Sequence, residues 1–565
     1  MIAPPPRMQR PPGALSSGVR WTVWLIVVLV VLTWFGTLDA RHLLRSDEGR
    51  YAEIAREMFV SGDWVTIRYN DLKYFEKPPF HLWMTVLAYH AFGLGEWQAR
   101  LWGALSGAGA LLLTAWAARR WFGPQVGLYS ALVLLAAPTW NIGSHFNSLD
   151  IGVAAALAGT LAAVLMAQHP QATGRQRAVW MHVAWALMAV AILTKGLIGI
   201  VLPGLVLVLY TVLARDLALW RRLHIVSGAA LMLALTAPWF VLVSLRNPEF
   251  AQFFFVHEHF QRYTSSIHRR GAPFWYFVPQ LAAGMLPWLG LLPGVWAALR
   301  QGPDDRGFRP VWLLATWVVA IFVFFSLSGS KLPGYILPVL PPLAVLLALA
   351  LARLGDQAWQ RQLWVALVLV GVALVASPFA ARLGSSGNPN ELFRHYAPWL
   401  TAACTITLGG VAGALCLQRR GQRTDSVAVF ALAFFFGSTV GLVGHDVFGR
   451  ASSGVGLVPA VQAELKPGMP LYGVRLLDHT LPFYLQHTLV MVEAPDELAF
   501  GTQQEPDKWL PTMAQFRQAW TAGPPALALM SPDTYAELQS AGLPMRPVAQ
   551  DARRVVVSNR MEGTR

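Results

Sequence analysis

Residues 21 to 51 read WTVWLIVVLVVLTWFGTLDARHLLRSDEGRY, an apolar run followed at once by a dense set of charges. The apolar part, from Trp21 to about Thr37, is longer than a signal-peptide core and is preceded by arginines, so we expect a retained first membrane span with a cytoplasmic N-terminus. A second charged cluster follows as YFEKPP at 74 to 79. Charged residues this close to hydrocarbon usually mark a functional site.

The composition as a whole is that of a membrane protein. The 565 residues are 55% hydrophobic and 13% charged, with a mean hydropathy of +0.44. This apolar content predicts a polytopic α-helical membrane protein. The net charge of +14 comes mostly from Lys and Arg in short loops between apolar spans, where such residues orient helices. We therefore expect membrane lipids as partners and no nucleic acid.

Thirteen apolar segments are each about long enough to cross a membrane, while Phe80 to Leu94 is short and ambiguous. The arginine-rich loops fall on one side only if Phe80 to Leu94 does not cross, which places the C-terminus outside. We thus predict a membrane domain over 1–445, with a first outer loop over 40–97, and an outer domain over 446–565. The predicted spans are 21–39, 98–118, 124–143, 149–167, 178–193, 196–213, 223–245, 274–298, 310–328, 335–353, 362–383, 396–418 and 426–444.

The same assignment of membrane crossings places five polar elements on the outer face. Their convergence there predicts a functional site. They are the loop at 40–97, the turn at 144–150, residues 194–196, the loop at 246–273 and residues 328–333.

Two short helices are predicted in the first outer loop. Residues 48 to 59 place apolar side chains at helical spacing, with Arg50, Glu53, Arg56 and Glu57 opposite, which is typical of an amphipathic helix in the membrane interface. Phe80 to Leu94, after Pro78 and Pro79, would form the second.

The outer domain is predicted to be a small α/β fold. It alternates helical patterns with β-like runs at 471–476, 488–492, 526–530 and 553–558. We find no catalytic motif in this part of the sequence.

Asp47 and Asp150 are the candidate catalytic carboxylates. Asp47 precedes the interfacial helix, where it is either a general base or simply an N-cap. Asp150 follows Asn147 and Ser148 and is either a second acid that pairs with Lys195 or another helix cap. The residues alone leave both alternatives open.

Basic side chains near the interface suit the phosphate of a lipid. Arg50, Lys77 and Arg262 are the candidates, and snorkelling towards lipid headgroups is the alternative. We find no glycine-rich nucleotide fingerprint or Walker loop. A site facing away from the cytoplasm has no nucleotide pool, so we expect an activated donor carried on a lipid phosphate.

A metal site is a further hypothesis. Glu76 and His257 are the predicted ligands of a divalent metal such as zinc, with Glu258, His259 and His268 nearby. The alternative is an ordinary loop with aromatic neighbours, and we expect no cofactor to be required for catalysis.

The membrane portion resembles the GT-C glycosyltransferases of the protein mannosyltransferase and aminoarabinose transferase superfamily. Two of the matching pieces, at 47–58 and 74–83, are specific to the aminoarabinose transferase branch. The pieces are DEGRYAEIAREM at 47–58, SGDW at 61–64, YFEKPPFHLW at 74–83, GEWQARL at 95–101, LTKGLIGIVLPG at 193–204 and SGSKLPGYILPVLPPLA at 328–344.

The resemblance implies a GT-C fold of about thirteen transmembrane helices with a C-terminal periplasmic α/β domain, and inverting transfer from a polyprenyl-phosphate sugar. Asp47 would deprotonate or orient the acceptor, and Asp150 with Lys195 would be the second acid and its partner. The groups that would hold the leaving phosphate are Arg50, Tyr51, Tyr74, Lys77, Lys195 and Arg262.

This branch transfers 4-amino-4-deoxy-L-arabinose from undecaprenyl phosphate to phosphates of lipid A, which gives resistance to cationic antimicrobial peptides such as polymyxin. The expectation is therefore a monomeric enzyme of the bacterial inner membrane with a periplasmic active site. The alternatives are a protein or glycan mannosyltransferase and a lipid-linked sugar flippase. A flippase should place ionisable residues along a route through the membrane, whereas here they collect on one face.

Overall fold

The computed structural model describes residues 17–261, 271–300, 307–385 and 388–560, without the side chains of 17–20 and 257–261. Within these ranges, nine helices are long and apolar enough to cross a membrane, or eleven if two bent pairs each count as one span. The nine are Glu96–Phe122, Leu149–Ala167, Gly174–Lys195, Ile225–Arg246, Pro310–Leu327, Pro333–Arg353, Asp356–Arg382, Asn390–Arg419 and Arg423–Ser453.

Two predicted spans are broken helices. Pro124–Leu135 and Pro138–Ser144 meet at 68°, and Phe277–Gly284 and Leu286–Arg300 meet at 88°. Proline starts the second helix of the first pair because it has no amide proton to donate to a preceding turn. Shorter apolar helices at Trp21–Gly36 and Ile198–Ala214 complete the set. Each predicted apolar segment coincides with one of these helices or helix pairs. The number of membrane crossings, thirteen, stays a prediction.

The core of the bundle is formed by two helices that are covered on nearly all sides. Leu149–Ala167 and Pro333–Arg353 are each 89% buried over their apolar window, whereas Ile225–Arg246 is 22% buried. Helices that are apolar all round pack inside, while their neighbours turn one face outward. The buried Leu149–Ala167 helix carries Asp150 in its first turn, so a central element fixes this acidic residue.

The first outer loop contains both predicted helices, Asp47–Ser61 and Phe80–Phe92. Between them lies a hairpin that the sequence analysis missed, with Arg68–Tyr69 paired to Leu72–Lys73. Its turn residues Asn70 and Asp71 have φ of 49° and 57°, which favours Asn and Asp in two-residue hairpin turns.

The polar face of the first helix is covered by protein, and its position in the membrane interface stays a prediction. Arg50, Glu53 and Arg56 are 5%, 0% and 6% exposed, so the polar face does not meet water. Glu53 and Arg56 pair with each other at 2.6 Å, and Arg50 is covered by the outer domain. Charged groups can be buried in this way because each one has an ionic partner.

The outer domain is a five-stranded mixed sheet with helices on its faces, as predicted for its class. Strand order is Val490–Val492, Leu471–Val474, Leu527–Met530, Val555–Ser558 and Arg546–Gln550. The first three strands are parallel and the last two pairings are antiparallel. The edge strand Arg546–Gln550 was not predicted, because it contains proline and polar residues and is only partly covered.

Shorter elements connect these parts. In the membrane portion they are Leu217–Arg222 and the π-helical Gln252–Gln261. In the outer domain the helices and turns are Val455–Leu457, Val458–Glu464, Leu481–Leu485, Asp496–Leu498, Ala499–Gln504, Pro506–Lys508, Met513–Ala522 and Pro532–Ser540.

Candidate active site

Asp47 is the first residue of its helix rather than the cap. Ser46 occupies the cap position with φ of 75° and makes no side-chain cap bond. The carboxylate of Asp47 instead accepts a hydrogen bond from Nη2 of Arg50 at 2.7 Å. Its side chain is 38% exposed, so one face of this carboxylate is open to a reactant.

Arg50 connects several acceptors. Its Nη1 donates to the hydroxyl of Tyr74 at 3.2 Å and to Oε2 of Glu497 at 2.9 Å. Its guanidinium carbon lies 5.4 Å from the ring centre of Tyr51. Burial keeps the pKa of Tyr51 well above its usual range, so this phenol stays protonated and can donate to an anion.

Asp150 is not the cap of its helix either. The hydroxyl of Ser148 accepts from the backbone N–H of Asp150 and so caps Leu149–Ala167. The Asp150 carboxylate instead accepts a hydrogen bond from Nζ of Lys195. This ammonium also lies 4.3 Å from the ring centre of Tyr335. The predicted pairing of Asp150 with Lys195 is therefore present.

Glu76 and Lys77 lie on the loop between the hairpin and the second outer helix. Nζ of Lys77 donates to the backbone carbonyl of Glu76 at 2.8 Å and lies 3.7 Å from its Oε2. The side chains are mostly buried, with Lys77 20% exposed and Glu76 12% exposed. The proline pair that follows restricts the backbone here, so the ammonium is held at a defined place.

One polar cavity of about 210 Å³ collects these groups from separate parts of the chain. Its walls come from the first outer helix, the 76–77 loop, the starts and ends of two central helices and the 328–335 segment. The lining polar residues are Asp47, Arg50, Tyr51, Glu76, Lys77, Ser148, Asp150, Lys195, Ser328, Ser330 and Tyr335. Four of the five elements predicted to converge line this cavity, whereas none of the described residues of the loop at 246–273 does.

Two further cavities adjoin this one. An apolar groove of about 760 Å³ between Ile198–Ala214 and Pro310–Leu327 shares Phe324 with the polar cavity. Another cavity of about 450 Å³ shares Asp47, Ser148, Asp150 and Leu332 with it and includes Arg45 in its lining. The polar cavity therefore connects two spaces with apolar walls.

The remaining predicted residues lie partly outside the described structure. Arg262, His268 and the side chain of His257 fall outside the described residues. Tyr74 is buried beside Arg50 and contributes its hydroxyl there. Among the described residues, no three His, Cys, Asp or Glu side chains are grouped as metal ligands require. Glu76 supplies one carboxylate, which does not by itself make a metal site, so we derive no reaction step through a metal.

Sequence reasoning missed several residues that border the site. Tyr335, Ser328 and Ser330 lie in the SGSKLPGY piece at 328–335, but no individual role had been assigned to them. Glu497, from the outer domain, contacts Arg50, although that domain carries no recognisable motif. No local pattern signals such a contact, because the two residues are 447 positions apart.

Comparisons with known proteins agree with this arrangement. Residues 457–559 match the aminoarabinose transferase C-terminal domain family, and residues 76–242 match the dolichyl-phosphate-mannose-protein mannosyltransferase family. Undecaprenyl phosphate-α-4-amino-4-deoxy-L-arabinose arabinosyl transferase 2 of Proteus mirabilis is 31% identical over 70% of this chain and 72% of that protein. The corresponding Edwardsiella ictaluri transferase is 32% identical over 74% of this chain and 76% of its own.

A solved structure is similar over nearly the whole chain. The crystal structure of ArnT from Cupriavidus metallidurans bound to undecaprenyl phosphate is 52% identical, with a TM-score of 0.93. The match covers 97% of this chain and 99% of that chain.

Proposed function

Because the chain belongs to the family of undecaprenyl phosphate-α-4-amino-4-deoxy-L-arabinose arabinosyl transferases, we propose that it transfers this sugar from undecaprenyl phosphate to a phosphate of lipid A. The reaction takes place at the periplasmic face of the bacterial inner membrane and gives resistance to polymyxin-like peptides. The observation that carries the proposal is the polar cavity in which three carboxylates and three cations converge beside two apolar-walled spaces.

The cations and the apolar groove are suited to the donor. Arg50, Lys77 and Lys195 line the polar cavity, and the groove begins beside it at Phe324 and Leu327. A polyprenyl tail along Pro310–Leu327 would leave its phosphate among these cations, where charge developing on the departing phosphate is stabilised. Arg262 is proposed to join them.

Asp47 is the better candidate for the group that meets the acceptor. Its side chain is 38% exposed, whereas Asp150 is 12% exposed and already bound by Lys195. The 450 Å³ cavity that shares Asp47 has an apolar wall at Ile142, Phe146 and Leu337, which suits an acyl chain. Asp47 would orient or deprotonate the acceptor phosphate for in-line attack on the anomeric carbon, with the lipid phosphate leaving with the bonding electrons.

The reaction is tested with the purified full-length chain in detergent, undecaprenyl-phosphate aminoarabinose and lipid A. We expect Asp47→Asn to lower kcat about 100- to 10,000-fold, as is usual for the loss of a catalytic acid or base. Asp63→Asn is the matched control, because Asp63 lies in the same loop but pairs with the exposed Arg246 at 3.2 Å. Undiminished turnover of the Asp47 variant would remove this role.

Mass spectrometry of the products separates the candidate functions. Sugar found on lipid A supports the proposal, whereas sugar found on protein or on another glycan supports the mannosyltransferase alternative. Movement of the donor across vesicles without any product would point to a flippase. A metal on Glu76 and His257 is a separate proposal, tested by elemental analysis of the wild type and Glu76→Gln.

A further inference from the structure

A carboxylate of the outer domain contacts Arg50, which lines the polar cavity. Glu497 lies in the short turn Asp496–Leu498, and its Oε2 accepts from Nη1 of Arg50 at 2.9 Å. The two side chains are 18% and 6% exposed, so this ion pair is largely shielded from solvent. The pair joins the two domains at the residue that also binds Asp47.

The approach of the outer domain is fixed on both sides of Glu497. A Cβ atom on Gly49 would lie 2.3 Å from the carbonyl oxygen of His479, and one on Gly501 would lie 2.7 Å from that of Lys73. Only glycine allows backbones this close. Glu505 adds hydrogen bonds from Arg68 at 3.0 and 3.1 Å and from the backbone of Lys73 at 2.9 Å.

Arg50 is shared between two acids. Nη2 is bound by Asp47 and Nη1 by Glu497 and Tyr74, while Nε is buried and has no acceptor among the described residues. A buried donor without an acceptor is unfavourable, and a phosphate oxygen would satisfy it. Asp47 and Glu497 together offset the charge of Arg50, so an anionic phosphate should bind this guanidinium best when one of the two carboxylates is neutral.

We propose that Glu497 is a positioning residue for the transfer reaction, which holds Arg50 beside Asp47 and competes with the donor phosphate for its guanidinium. This inference rests on the proposed function. It makes the outer domain part of the active site, since Arg50 is held from the membrane side by Asp47 and from the outer side by Glu497.

The charge on Glu497 changes near neutral pH. Burial raises the pKa of Glu497, Arg50 opposes this and the neighbouring acids add to it, which together bring the pKa to about 7. The titratable or charged groups around Glu497 are Arg50, Asp47, Tyr69, Tyr74, Glu76, His479 and Asp496. Above this pKa the ionised carboxylate competes most strongly with the phosphate, so donor affinity should fall as pH rises.

The size of the effect follows from the fraction of protein with Glu497 protonated. If the donor binds mainly to that form, its apparent KM should rise about tenfold between pH 6 and pH 8. Glu497→Gln keeps an oxygen that accepts from Arg50 but carries no charge. We therefore expect a nearly flat donor KM in this variant, with a value at pH 8 close to that of the wild type at pH 6.

The experiment compares donor KM and kcat at pH 6, 7 and 8 in the wild type, Glu497→Gln and Glu505→Gln. The same donor is used throughout, so its own titration cancels in the comparison. Glu505→Gln is the control, because Glu505 joins the same two domains through Arg68 rather than through Arg50. It should retain the wild-type profile.

Donor binding without acceptor, followed by tryptophan fluorescence, gives the same pH comparison without turnover. A wild type that binds donor but makes no product would count against the proposed function and leave this profile measurable. Superimposable profiles for the wild type and Glu497→Gln would overturn the role of Glu497. A matching change in Glu505→Gln would overturn it as well, by assigning the effect to domain docking.

Discussion

Glu48 anchors the start of the helix that carries Asp47 and Arg50. Its carboxylate accepts from Nε of Arg100 at 2.8 Å and from the backbone N–H groups of Leu44 and Asn147 at 3.0 and 3.1 Å. Arg41 lies 3.4 Å away, and all three charged side chains are at most 3% exposed. Neighbouring Asp47 is placed by this network, because the two residues share one turn of backbone.

Replacing Glu48 by Gln should destabilise the protein by about 3–5 kcal/mol, because two buried arginines lose their counter-charge. Thermal unfolding in detergent measures this. Glu464→Gln is the control, since its pair with Arg546 is partly exposed and should be worth about 1 kcal/mol or less. Equal stability of the Glu48 variant and the wild type would contradict the anchoring role.

The same network predicts that the folded protein loses stability at acid pH. Burial alone would raise the pKa of Glu48, but Arg100 and Arg41 outweigh it and lower this pKa to about 2 from 4.5. A carboxylate with a lowered pKa stabilises the fold above pH 4.5, and this stability is lost as pH falls towards 2. Unfolding profiles between pH 5 and 2 should therefore show a steeper loss for the wild type than for Glu48→Gln.

At the residue level, the sequence identified the charges and the pairing of Asp150 with Lys195, but not the contacts with the outer domain. Asp47, Arg50, Lys77 and Asp150 were predicted because charged groups beside apolar spans are rare. Their contacts with Glu497 and Tyr335 could not be predicted, because those contacts depend on how distant segments pack. The helix-cap alternatives for Asp47 and Asp150 were settled only by the positions of Ser46 and Ser148.

The segment from Ser328 to Val339 brings a tight turn against the second acid. A Cβ atom on Gly334 would lie 2.2 Å from Oδ2 of Asp150, whereas one on Gly329 would meet nothing within 4 Å. The carboxylate therefore packs directly against the backbone of this segment. Tyr335, the next residue, lies under Lys195 and completes the contact.

Gly334→Ala should displace Asp150 and lower kcat/KM about 10- to 100-fold, since misplacing a site group by about 1 Å can cost that much. Gly329→Ala lies in the same segment and should leave the rate unchanged. Both are measured by the transfer assay, with thermal unfolding to check that the fold persists. A Gly334 variant as active as the Gly329 variant would show that the position of Asp150 is unimportant.

Helices and strands were predicted best where the apolar pattern extends over many residues. The apolar helices follow from composition, because lipid requires every backbone polar group to be bonded within its own segment. The Arg68–Lys73 hairpin and the edge strand Arg546–Gln550 were missed, since each is short and carries few apolar residues. The first outer helix was predicted from its local pattern. Its contact with the outer domain was not, because that contact joins residues far apart in the sequence.

In the whole molecule, the polar site lies between the apolar groove along Pro310–Leu327 and the 450 Å³ cavity at the start of Asp47–Ser61. Phe324 connects the groove to the polar site, and Asp47 connects the polar site to the other cavity. This order matches the proposed path of a reaction between two lipids. In the proposed reaction, each lipid would keep its chains against apolar walls while the phosphates meet at the charged centre.

Blocking the groove should therefore affect only donors with long tails. Val323 lines the groove and is 45% exposed, so Val323→Trp would fill part of it. Losing contact with about two methylene groups costs about 1.5 kcal/mol, which corresponds to about a tenfold higher KM for the undecaprenyl donor. A donor with two isoprene units, too short to extend along the groove, should show little change.

Val372→Trp is the control, because Val372 is 62% exposed on Asp356–Ala376 and does not line the groove. Equal effects on long and short donors would mean that the tail lies elsewhere, even if transfer itself proceeds as proposed.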